Sequence, residues 1–154
     1  SANGLFIIYF SLLISFLSWG YLVPKISKNV SDAIKLLKFG APLNLIVLAF
    51  IIYLGPKAGA YHWAFFAVSS VFLSLTQPAV GMAFSLSNAG KALTSFNLLL
   101  FIGAFALQWI IGVIIVLTMN LGYSEISGFR FAMMFFLLTS FFSYLFFLIK
   151  NSKN

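Results

Sequence analysis

Five long apolar runs dominate this 154-residue chain, and short polar gaps separate them. A bilayer core about 30 Å thick needs roughly 20 apolar residues in a helix. The runs predict spans at about residues 5–23, 36–54, 61–84, 93–119 and 129–149. Only 7% of the residues are charged and 62% are hydrophobic, whereas roughly a quarter are charged in soluble domains. The sequence therefore predicts an all-α, polytopic transmembrane helical bundle that forms one membrane-embedded domain over residues 1–154.

Other protein classes fit this sequence poorly. The net charge of +7 comes from basic residues in the gaps, not from a basic face that neutralises phosphates, so we expect no nucleic-acid partner. One histidine, no cysteine and two acids in connections, Asp32 and Glu125, supply no catalytic pair or metal cluster. We expect neither an enzyme nor a cofactor. A channel is disfavoured because no ring-forming charge or filter-like loop is present.

Turn signals place the connections between the predicted spans. Ser31 or Asp32 is the predicted N-cap of the second span, and Gly55-Pro56 is its predicted end. The stretch 85–91 predicts a short polar turn, and 120–128 predicts a longer polar connection. The consequence is a bundle of five helices of alternating direction.

The basic residues lie unevenly between the two ends of this predicted bundle. One end carries Lys25, Lys28, Lys35, Lys38, Lys91, Lys150 and Lys153, and the other carries Lys57 and Arg130. Cytoplasmic loops are rich in Lys and Arg, so the seven-lysine end and the C-terminus are predicted to be cytoplasmic. Only four residues, without an initiator Met, precede the first span. We interpret the chain as a fragment that lacks an earlier helix.

Several stretches of this sequence resemble a known transporter family. They are QPAVGMAF at 77–84, NAGKAL at 88–93, FNL at 96–98, GAFALQWIIG at 103–112, FRFA at 129–132 and SYLF at 143–146. They are similar to the tenth, eleventh and twelfth helices of major facilitator superfamily transporters. Residues 103–112 resemble a bacterial branch of that family, which implies a bacterial inner (plasma) membrane. The loop at 20–28 resembles that family's Gly-x-Leu-x-Asp-Arg-x-x-Arg signature, with Pro24 and Lys25 at the Asp-Arg positions.

This resemblance implies that the chain corresponds to helices eight to twelve of such a transporter. A half of that fold has six helices in two inverted repeats. The implied partners are the lipid bilayer, a small-molecule solute, and the missing N-terminal half with one further helix. The implied function is transport of a small solute by alternating access. A non-catalytic structural or assembly subunit of a membrane complex is the alternative, because it requires only packing surfaces.

Polar side chains inside the apolar runs are the candidates for a solute path, because they are costly in lipid. They are Gln77, Asn97, Gln108 and Trp109. Asn97 and Gln108 are eleven residues apart and share one helix face. If they serve transport, these two amides line a cavity that the solute crosses. If they are structural, they form hydrogen bonds to neighbouring helices.

Packing and kinking residues complete the prediction. Pro78 predicts a helix kink, because it removes a backbone hydrogen bond and frees the carbonyl near Ser74. Gln77 either lines a cavity or donates to that carbonyl. Gly103 and Gly112 predict close helix packing. The apolar runs contain no acid, and their only Lys and Arg residues, Lys38 and Arg130, lie at the ends of their runs, so a proton-coupling group lies elsewhere or the protein is a facilitator. Symport, antiport and uniport stay open, as does the substrate.

Overall fold

The computed structural model describes residues 2–151, and this part of the chain is all-α. The α-helices are α1 (Ala2–Ile26), α2 (Val30–Leu54), α3 (Ala60–Ser70), α4 (Thr76–Ala83), α5 (Leu86–Asn120) and α6 (Glu125–Asn151). Two 3₁₀ turns, Gly55–Lys57 and Val71–Leu75, lie after α2 and between α3 and α4. The stretch Ala60–Ala83 is a single span, so five helices among the described residues are long and apolar enough to cross a membrane. The predicted all-α fold with five candidate membrane spans is confirmed, and it indicates an integral membrane protein.

The N-cap of α2 differs from the sequence prediction. Asn29 has an extended backbone, and its side-chain Oδ1 accepts a 2.9 Å hydrogen bond from the backbone amide of Asp32. The Asp32 carboxylate in turn accepts from the backbone amide of Lys28 at 3.1 Å. Asn29, not Ser31 or Asp32, is the cap, because this pairing satisfies two amides in the manner of a capping box.

Two connections are shorter than the sequence predicts. The polar stretch 86–91 belongs to α5, and only Phe84 and Ser85 separate α5 from α4. In the same way α6 begins at Glu125, which leaves residues 121–124 as the connection. Polar residues can continue a helix beyond the bilayer core, because the helix bonds its backbone internally. The 35 residues of α5 span about 50 Å, well beyond an apolar core of about 30 Å.

The helix α2 lies at the centre of the bundle. It packs against α3, the Val71–Leu75 turn, α4 and α6, whereas α1 packs mainly on α3, and α5 packs on α4 and α6. Most of the buried apolar side chains come from α2 and the third span, including Leu37, Leu48, Ile51, Val71 and Leu75. Neither α1 nor α5 contains a buried residue in its described length. These outer helices therefore present broad apolar faces to their surroundings.

The basic residues define two ends of the bundle. Lys38 Nζ donates to the backbone oxygen of Asn151 at 3.3 Å, so the start of α2 meets the end of α6. We call this the lysine-rich end; six lysines lie in or near it, namely Lys25, Lys28, Lys35, Lys38, Lys91 and Lys150. Lys153, which the prediction placed at the same end, lies outside the described residues. Lys57 and Arg130 lie towards the opposite end.

The α-helical geometry of the third span is interrupted just before Pro78. The 3₁₀ turn Val71–Leu75 separates α3 from α4, and Pro78 is the third residue of α4. Proline is tolerated in the first turn of a helix, where backbone amides lack helical partners anyway. The hydroxyls of Ser74 and Thr76 donate to the carbonyl oxygens of Val71 and Leu73, each at 2.7 Å.

Close helix packing occurs at glycines other than those the sequence suggested. A Cβ at Gly40 would overlap the Phe72 side chain, and one at Gly128 would lie 2.7 Å from Thr118 Oγ1. Gly103 and Gly112 are exposed, and a Cβ at either would meet nothing within 4 Å. These two glycines therefore make no close contact within the part of the chain that the structure describes.

Candidate functional site

Two of the predicted path residues meet across neighbouring helices. Gln77 Nε2 on α4 donates to Asn97 Oδ1 on α5 at 3.1 Å. The two helices are held together nearby, where the Leu93 side chain lies 3.6 Å from the Cβ position of Gly81. Gln77 is exposed and Asn97 is half-buried. The Gln77 amide thus bonds to a second span and leaves part of its hydrogen-bonding capacity open.

Gln108 and Trp109 lie farther along α5 and are both exposed. Eleven residues separate Gln108 from Asn97, which corresponds to about 16 Å along the helix axis. The Gln108 amide has no hydrogen-bond partner among residues 2–151, and the Trp109 side chain is 65% exposed. The structure therefore does not gather the four candidates into one pocket, although Asn97 and Gln108 follow one side of α5.

The amide side chains of Gln77, Asn97 and Gln108 lie among exposed apolar side chains, which is an unusual place for polar groups. The same stretch of α5 exposes large apolar side chains such as Leu98, Phe101 and Phe105, as a lipid-facing helix does. An amide without a partner costs several kcal/mol in hydrocarbon. We use the name amide face for the surface that carries Gln77, Asn97 and Gln108. Contact with water or protein is much more favourable for this surface than contact with lipid.

A separate cavity of about 520 Å³ lies between α2, the third span, α5 and α6, and it is partly open to the outside of the bundle. Its apolar walls include Leu37, Leu45, Leu107 and Phe136. Six polar residues also line it, namely Asn44, Thr76, Thr139, Ser140, Ser143 and Tyr144. Neither Gln77 nor Gln108 is among its lining residues, so this cavity and the amide face are distinct surfaces.

Asn44 joins α2 to α3 at the wall of this cavity. Its Nδ2 donates to Ser69 Oγ at 3.0 Å and to the Phe66 carbonyl oxygen at 3.3 Å. Ser69 Oγ donates to the same carbonyl oxygen at 2.8 Å. Asn44 and Ser69 are buried, so their hydrogen bonds offset the cost of removing polar groups from water. Both donors of the Asn44 amide are occupied, and its Oδ1 is left as an acceptor.

Tyr144 supplies a second polar link at the cavity wall. Its hydroxyl donates to the backbone oxygen of Lys38 at 2.8 Å. That carbonyl would bond the amide of residue 42 in a regular helix, but residue 42 is Pro42, which has no N–H. A side chain of α6 therefore satisfies the carbonyl that a proline frees in α2.

This cavity was not predicted, although some of the residues that line it form a recognisable pattern in the sequence. Thr139 and Ser143 are four residues apart, as are Ser140 and Tyr144, so all four share one side of a helix. Pro42 in the second apolar run marks a free carbonyl four residues earlier. The sequence does not show which helix packs against this polar side of α6, because the pairing of α2 with α6 joins residues more than 100 positions apart.

Comparison with protein-family models, with curated proteins and with solved structures finds no match to this chain. Among the described residues, no three His, Cys, Asp or Glu side chains form a group that could hold a metal ion.

Proposed function

We propose that this chain is part of a secondary transporter, of the major facilitator type, that moves a small solute across a membrane by alternating access. In this proposal the amide face forms part of the wall of the solute path. The observation that carries the proposal is the exposure of Gln108, without a partner, on a helix that otherwise exposes apolar side chains. The resemblance of residues 77–112 to the tenth and eleventh helices of that family supports it.

The chemistry of the amide face suits a neutral hydrogen-bonding wall. The Gln77–Asn97 bond uses one donor and one acceptor, and each amide offers two donors and an acceptor oxygen. The donors and acceptors that this bond leaves unused can form hydrogen bonds to a solute, or to water when no solute is bound. The interrupted third span fits the same role, because discontinuous helices are common at transporter sites.

The proposed orientation follows from the lysines. The lysine-rich end faces the cytoplasm of a bacterial plasma membrane, because basic residues are enriched in cytoplasmic connections. The amide face is completed by the remaining helices of the transporter. None of its three amides is ionisable, so in this proposal proton coupling requires a group on another part of the protein.

The second candidate is a non-catalytic subunit of a membrane complex. Exposed Ala104 and Gly112 lie four residues before and after Gln108 on α5. Small residues on either side of a polar one let a second helix approach closely and accept its hydrogen bond. In this alternative Gln108 bonds to a partner helix, and water does not reach it.

Single cysteines distinguish the two candidates, because the chain has no native cysteine. The test variant is Gln108→Cys. The control is Leu99→Cys, which is also on an exposed position but nine residues away, on the opposite side of α5. Maleimides react with thiolates, which form where water is present and not in lipid. A membrane-impermeant maleimide is applied to sealed right-side-out and inside-out vesicles that contain the complete protein, because other helices complete the amide face in the transporter proposal.

The transporter proposal predicts that Gln108→Cys reacts in both vesicle orientations and that Leu99→Cys reacts in neither. Reaction at position 108 from both sides requires a water-filled path that reaches both faces of the membrane, as alternating access provides. If position 108 reacts in neither orientation, the path assignment is wrong and the subunit candidate is favoured. Equal reaction at positions 99 and 108 would show that α5 is not embedded in lipid.

A further inference from the structure

We propose that the cavity between α2, the third span, α5 and α6 is a binding site for an uncharged, amphipathic molecule that carries hydroxyl or amide N–H donors. Its volume of about 520 Å³ lies within the range of roughly 300 to 1,000 Å³ that is typical of small-molecule sites. The proposal does not depend on the amide face. It applies whether the chain is part of a transporter or a subunit.

The lining residues supply no counter-charge for an ion. No Asp, Glu, Lys, Arg or His lines the cavity, so the charge of a bound ion would have no partner. Burying an unpaired charge against apolar walls is far more costly than burying a neutral polar group that is hydrogen-bonded. The ligand is therefore uncharged, and most of its surface is apolar.

The hydrogen bonds already made in the cavity wall define the polar end of the ligand. Three lining hydroxyls are committed as donors to backbone oxygens. Thr76 donates to Leu73, Thr139 to Phe135 and Phe136, and Tyr144 to Lys38, at 2.7–3.0 Å. A hydroxyl has one hydrogen, so these groups can only accept further bonds.

The other polar groups of the lining also offer more acceptors than donors. The two donors of Asn44 are used within the protein, which leaves Oδ1 as an acceptor. The Ser140 and Ser143 hydroxyls have no hydrogen-bond partner among residues 2–151, and they can donate or accept. Four of the six polar lining residues thus offer acceptors only. A ligand that brings its own donors complements the cavity better than one with acceptors alone.

The test measures saturable binding of radiolabelled 2-naphthol, which is uncharged at neutral pH and has one donor. The protein is held in lipid nanodiscs, and binding to empty nanodiscs is subtracted. Three molecules with the same ring system compete with it: 2-methoxynaphthalene, which lacks the donor, 2-naphthoate, which is an anion, and 2-naphthylmethylammonium, which is a cation. We expect each competitor to bind at least roughly tenfold more weakly than unlabelled 2-naphthol, because each lacks a hydrogen bond or carries an unpaired charge.

A matched pair of variants assigns the binding to the cavity. Ala41→Phe places a ring in the cavity that Ala41 lines, whereas Ala106→Phe adds the same ring at an exposed position on α5 that lies away from both the cavity and the amide face. We expect at least a roughly tenfold loss of affinity in the first variant and no change in the second. Ser140→Leu fills the cavity from α6. If Ala41→Phe does not give a monodisperse helical protein, the loss of 2-naphthol binding in Ser140→Leu is the test.

Each other outcome overturns the proposal in a defined way. Absence of saturable binding, or equal binding to wild type and to both cavity-filling variants, shows that the cavity is not the site. If the methyl ether or an ion competes as well as 2-naphthol, the cavity binds ligands but the assigned chemical class is wrong. These results leave the accessibility of position 108 untouched, so a failure here is distinct from a failure of the proposed function.

Discussion

Pro42 leaves the Lys38 carbonyl oxygen without its usual helical partner, and Tyr144 on α6 donates to that oxygen. Buried or lipid-surrounded backbone groups need such partners, because water cannot replace them there. At the scale of single residues, sequence identifies Pro42 and the polar side chains but not their orientation. Asn44 points into the bundle and is buried, whereas Gln108 points outward and is exposed, although both are lone amides in apolar helices.

Replacing Tyr144 with Phe tests the link between α2 and α6. The Tyr144→Phe variant loses one donor and keeps the ring, so the Lys38 oxygen is left unbonded. We expect the free energy of unfolding to fall by about 1 kcal/mol, measured by denaturant titration in mixed micelles. Tyr53→Phe is the matched control, because Tyr53 is 77% exposed and should change the stability little.

A double-mutant cycle isolates the proline from the tyrosine. In Pro42→Ala the new backbone amide can bond the Lys38 oxygen, as in a regular helix. The cost of Tyr144→Phe should then shrink towards zero in the Pro42→Ala background. An equal cost in both backgrounds would show that Tyr144 stabilises the protein through ring packing and not through the freed carbonyl.

At the scale of helices, the apolar runs predicted the number and approximate place of the spans, because length and hydrophobicity decide what can cross a bilayer. The helix ends were less predictable. Polar residues 86–91 looked like a turn, yet they are helical, since helix propensity and not lipid decides structure outside the apolar core. Which glycines meet other helices also depends on tertiary pairing that no single span encodes.

Gly40 gives the sharpest test of helix packing. A Cβ there would overlap Phe72, whose ring is held from another side by Trp19, with ring centroids 4.7 Å apart. Because Phe72 has little room to move, Gly40→Ala should lower the free energy of unfolding by about 1 to 3 kcal/mol. The same denaturant titration in micelles measures this change.

Gly103→Ala is the control for that substitution. Gly103 is also in a helix, but a Cβ there meets nothing within 4 Å. Alanine should therefore leave the stability unchanged or raise it by up to about 1 kcal/mol, because alanine favours the helix more than glycine does. If Gly103→Ala destabilised the protein as much as Gly40→Ala, an additional helix would have to pack at Gly103.

At the scale of the whole molecule, two surfaces set this bundle apart from a simple stack of lipid-facing helices. The amide face lies on the outside of α4 and α5, and the neutral cavity lies between four spans. The sequence predicted the residues of the first surface and missed the second. The proposed solute path at the amide face and the proposed ligand site in the cavity both require that the helices cross a bilayer in alternating directions, with the lysine-rich end on one side.

Single cysteines at the connections test that requirement directly. Lys28→Cys and Ser87→Cys lie at the lysine-rich end, and Lys57→Cys and Ser124→Cys lie at the opposite end; all four positions are exposed. A membrane-impermeant maleimide added to intact cells should label only positions 57 and 124. Positions 28 and 87 should react only after the membrane is permeabilised. Labelling of positions 28 and 57 from the same side would contradict the account, because α2 would then not cross the membrane.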